Sequence, residues 1–92
     1  MNAGRFDGDL QPWGTDQGAE YDRAIGALRA LAAAYNARIA RAGPSDDITQ
    51  LRAARAQVVA QQRELAPGDH AAIARILAES PALLRDLRSP RP

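Results

Sequence analysis

Large apolar side chains stand at Tyr21, Ile25, Leu28, Tyr35 and Ile39, and alanines at 32 and 42 complete spacings of 4, 3, 4, 3, 4 and 3. That is a heptad seam along one helix. Leu31 widens the seam by one position, and alanine fills much of the space between. Thr15 or Asp16 supplies an N-cap, Asp16, Glu20 and Asp22 crowd the opening turns, and Arg38 and Arg41 sit in the closing ones. This order of charge suits the helix dipole. The pattern predicts a helix over 15–42, with Gly26 as its weak position. At about 1.5 Å per residue the rod is near 40 Å long, more than a globule of this size covers.

Gly43 and Pro44 stop that helix, and Ser45 with Asp46 and Asp47 restarts one that returns antiparallel over 45–66. Its stripe is Ile48, Leu51, Val58 and Leu65, with Ala54 and Val59 beside it. Arg55 and Gln62 fall on the same side, as edge positions whose stems pack while their heads reach water. Pro67, Gly68 and Asp69 end the second helix and cap a third over 70–79, facing inward with Ile73, Ile76 and Leu77. Ser80 and Pro81 read as N-cap and first-turn proline of a last short helix over 81–88, bearing Leu83, Leu84 and Leu87. The expected fold is therefore all-α: a long antiparallel hairpin followed by two short helices, as one domain over 15–88. Residues 1–14 read as an irregular or partly disordered arm in which Phe6, Leu10 and Trp13 are isolated apolar anchors, and 89–92 as a frayed tail.

Composition sharpens this picture. Of the 46% of residues that are hydrophobic, 21 are alanine, and the aromatic side chains are Phe6, Trp13, Tyr21 and Tyr35 alone. With so few large core-formers, helices that approach closely through small side chains are favoured over a sheet sandwich. A chain of 92 residues holds one core and is marginal without a well-packed interface. The absence of cysteine excludes disulfides, thiolate metal sites and a thiol nucleophile. No basic start with an apolar run behind it opens the chain, so the sequence predicts a cytoplasmic protein. All twelve basic residues are arginine, which fits a GC-rich coding genome more simply than twelve separate selections.

Net charge is +1, unevenly placed. Residues 1–22 set Arg5 against Asp7, Asp9, Asp16, Glu20 and Asp22, a net of −4, whereas 23–42 hold four arginines and no acid, a net of +4. Helix-end complementarity accounts for most of this. A nucleic-acid partner would call for a basic excess over the whole domain, although HAAIARILAESPALLRDLR can be drawn as a helix-turn-helix with Arg85 and Arg88 towards phosphate. A small DNA-binding regulator or antitoxin-like protein is the alternative that this drawing supports. The amphipathic faces mix both signs and carry no lysine, unlike a membrane-surface helix.

Chemistry is sparse. His70 is the single histidine, with no metal-ligand or carboxylate-histidine spacing around it, and there is no Gly-rich phosphate loop or G-x-S-x-G. No catalytic, cofactor-binding or metal-binding residues are expected. The sequence predicts a non-catalytic protein–protein interaction module: a small helical adaptor or regulatory subunit that forms a homodimer, docks on a larger partner, or does both. The expected interface is the seam itself, Trp13, Tyr21, Ile25, Leu28, Leu31, Tyr35 and Ile39, with Leu31 and Trp13 on its uncovered side.

Overall fold

The unbroken run of helix formers becomes a single helix, α1, over Pro12–Ala40, 29 residues long. The computed structural model describes residues 12–89, with side chains from residue 18 onward. Pro12 opens α1 in the first turn, where a missing N–H costs nothing, so the helix begins three residues ahead of Thr15. Residues 12–14, expected in the arm, are helical. Phe6 and Leu10 lie outside the described residues, as does the tail from residue 90. At its far end α1 tightens: the Arg41 N–H reaches both Ala37 and Arg38 carbonyls and the Ala42 N–H that of Ile39, each at 3.2 Å.

Helix α2 covers Ile48–Glu64 and α3 covers His70–Arg88. No strand occurs among the described residues. The two short helices expected after the hairpin are one continuous helix of 19 residues with Pro81 inside it. Ser80 does not begin a helix. It is buried, and its hydroxyl donates back to the Ile76 carbonyl at 2.6 Å, the i−4 bond that serine makes within a helix. The apolar series Ile73, Ile76, Leu84, Leu87 runs through the proline on one face. Burial of that series holds α3 together across a residue that alone would end it.

The two connections repeat one device. In Gly43-Pro44-Ser45-Asp46 the Gly43 N–H donates to Asp46 Oδ2 at 2.9 Å and the Asp46 N–H donates to the Gly43 carbonyl at 3.1 Å. In Ala66-Pro67-Gly68-Asp69 the same pair recurs, at 3.1 Å to Asp69 Oδ2 and 3.0 Å to the Ala66 carbonyl. Each is a turn with proline at its second position, closed on both sides by the aspartate. After the first turn a further aspartate, Asp47, is free to cap α2, accepting the Gln50 N–H at 3.1 Å. After the second there is none. Asp69 occupies the N-cap position of α3 but makes no capping bond, because its carboxylate already serves the turn.

Both α2 and α3 pack on α1, and no Cα atom of one lies within 8 Å of a Cα atom of the other. The long helix is thus the shared spine. Its buried side, Ala24, Leu28, Leu31, Ala34 and Tyr35, meets Val58 and Leu65 of the α2 limb and Ile73, Ile76 and Leu87 of α3. Alanines at 24 and 34 let the flanking helices sit close. Lengths of about 43, 25 and 28 Å for α1, α2 and α3 leave the spine about 18 Å longer than α2 and about 15 Å longer than α3. Among the side chains described, from residue 18 onward, the first that is buried on α1 is Ala24, which puts the excess towards the N-terminal end.

Gly26 lies mid-helix on the exposed side of α1, and nothing stands within 4 Å of where its Cβ would be. Gly26→Ala is therefore expected to stabilise the protein by about 1 kcal/mol, the helix-propensity difference, read from urea melts. A loss of stability would place an unseen neighbour against this face.

Candidate functional site

The expected interface divides into three parts. Leu28, Leu31 and Tyr35 retain 1%, 4% and 8% of their exposure and form the chain's own core. Leu31 in particular is not on an uncovered side: it sits between α2 and α3, where its extra width fills the gap that two flanking helices leave over one spine. Tyr21 and Ile25 are half-buried and packed against the same core towards the N-terminal end of α1, and Ile39 is half-buried near the other end of that helix. Trp13 lies in the first turn of α1, and its side chain falls outside the described residues.

Where α2 and α3 straddle α1 they leave two clefts with Tyr35 in both. The first, of about 180 Å³, runs between the helices above Leu28 and Leu31, with Gln57 and Gln61 on one wall and Arg75, Glu79 and Leu83 on the other. The second, of about 360 Å³ and more open, lies near the turn between α1 and α2 among Arg38, Gln50, Leu51, Asp46 and Leu87. Leu83 on the rim of the first is the one large hydrophobic residue among those described that stays exposed, at 37%. No protein group among the described residues bonds the Tyr35 hydroxyl.

Sequence reading placed Arg38 only as a favourable charge near a helix end. The residue is instead only 9% exposed and its guanidinium spans to another helix: Nη1 donates to the Leu87 carbonyl at 2.7 Å and to the Ser89 carbonyl at 3.3 Å. Leu87 is in the last turn of α3 and Ser89 caps it, a place where carbonyls have no partner within the helix, and a cation there also meets the negative end of the dipole. The signal available in sequence was position alone, since Arg38 sits one turn beyond Ala34 on the buried side. Arg55, expected at the stripe edge, is half-buried and donates to Asn36 Oδ1 at 2.7 Å, fastening α2 to α1.

The helix-turn-helix drawing of residues 70–88 loses its turn, because α3 runs through Pro81 without a break. His70 is exposed at the start of α3. Among the described residues no three acidic, histidine or cysteine side chains gather where a metal ion would be held, and no helix is long and apolar enough to cross a membrane. No protein-family model, no curated protein and no solved structure matches the chain.

Proposed function

We infer that the protein is a non-catalytic interaction module, a small helical adaptor or regulatory subunit that self-associates or docks on a larger partner. The observation that carries this reading is the length mismatch. Helices α2 and α3 are both shorter than α1 and both pack on it; we read α1 and α2 as an antiparallel hairpin with α3 beside it. The N-terminal turns continue past both neighbours, with Tyr21 and Ile25 half-buried at their root and Trp13 further out in sequence. Apolar positions continuing along a helix beyond its own core are how one chain engages another. The interface is therefore narrower than the full seam: Trp13, Tyr21 and Ile25 belong to it, whereas Leu28, Leu31 and Tyr35 belong to the fold. A cytoplasmic setting and a dimeric state go with this proposal.

Sedimentation velocity of the full chain tests it. The expected species at tens of micromolar is larger than the 9.8 kDa monomer. A monomer throughout that range removes self-association from the proposal.

A further inference from the structure

The serine-proline pair that looks like a helix start in sequence and lies mid-helix in the fold marks a mechanical joint. We propose that Ser80-Pro81 is a hinge and that residues 81–88 form a latch, clamped to the end of α1 by Arg38, which opens while the rest of the fold stays closed.

Four observations converge on it. Pro81 has no N–H, so the bond to the Leu77 carbonyl that any other residue would make is missing at this step. The Ser80 hydroxyl takes part of the load on the preceding carbonyl, bonding Ile76 at 2.6 Å. That same hydroxyl and proline are the groups that begin a helix, so the segment beyond them separates with fewer broken bonds than a cut elsewhere in α3 would need.

Anchoring is unequal on the two sides of the joint. Before it, Ile73, Ile76 and Ser80 are buried, with Ala72 and Leu77 packed beside them. After it, Leu87 alone is buried and Leu84 half-buried, while Pro81, Ala82, Leu83, Arg85, Asp86 and Arg88 are exposed. Helix α2 brings no Cα atom within 8 Å of this segment, and faces it only across the two clefts, through Gln57 opposite Leu83 and Leu51 opposite Leu87. What holds its end is Arg38, through the Leu87 and Ser89 carbonyls.

Opening has a defined consequence. Leu83 lines the first cleft and Leu87 the second, each beside Tyr35. When the latch lifts, the two clefts merge over Tyr35 and the upper part of the seam becomes accessible. The proposal goes beyond the association reading and is tested in dilute protein, where association plays no part.

Amide hydrogen exchange resolved along the full chain decides it. In the wild-type protein residues 82–88 are expected to exchange at least tenfold faster than residues 73–79, with a step at Pro81. Arg38→Ala should speed 82–88 a further tenfold or more while α2 and residues 73–79 keep their protection. Pro81→Ala should remove the step and slow 82–88. A smooth gradient of exchange towards the chain end would be ordinary fraying and would overturn the hinge. So would faster exchange of all three helices together in Arg38→Ala, or failure of that variant to fold, because a latch must be dispensable to what it covers.

Discussion

Tyr35→Ala is expected to cost about 3–5 kcal/mol of folding stability, the usual range for removing a buried aromatic ring. The ring sits at the meeting point of α1, α2 and α3, and its loss joins two clefts that already flank it. Tyr35→Phe should change stability by less than about 0.5 kcal/mol, because no protein bond to the hydroxyl among the described residues is lost. Chemical denaturation of the three proteins reads both effects. If Tyr35→Ala left folding stability unchanged and weakened association alone, Tyr35 would be an interface residue and the assignment of this part of the seam to the fold would be wrong.

Leu31→Asp should be at least as damaging, costing more than about 4 kcal/mol in all, since it removes a large apolar group and puts an unpaired carboxylate where 4% exposure remains. A domain of this size has a stability of roughly 5–14 kcal/mol in total, so the variant is expected to be largely unfolded by circular dichroism at 37 °C. This reverses what the sequence alone suggests for Leu31, which there looks like the residue left over when a single neighbour covers the seam. A folded Leu31→Asp chain with weakened association would restore that earlier expectation.

The reason lies in what periodicity encodes. Spacings of 3 and 4 declare that one side of α1 is buried, and Leu28, Leu31 and Tyr35 are buried as that implies. Periodicity does not count neighbours. One flanking helix makes Leu31 an outlier, and two make it a core residue. The same limit explains α3. Ser80 and Pro81 carry the local chemistry of a helix start, and local chemistry was outweighed by Ile73, Ile76, Leu84 and Leu87 sharing one face across the proline. Asp69 shows a third kind of limit: an aspartate before a helix has two bonds to choose between, and only the turn's geometry decides which one it makes. Arg38 was the least legible. Its value rests on the last carbonyls of a helix 49 residues away, a coincidence in space that no local pattern announces.

The claim at the centre of the account is that the end of α1 beyond its neighbours engages another chain, while the rest of its seam is spent on the fold. Sedimentation equilibrium of Trp13→Ala beside the wild type, with a thermal melt of each at a dilution where both are monomeric, tests it most directly. Association should weaken at least tenfold in Trp13→Ala, with the two monomers melting together to within about 2 °C, a shift worth well under 1 kcal/mol. Unchanged association, or a melting point that falls with the substitution while association holds, would contradict it.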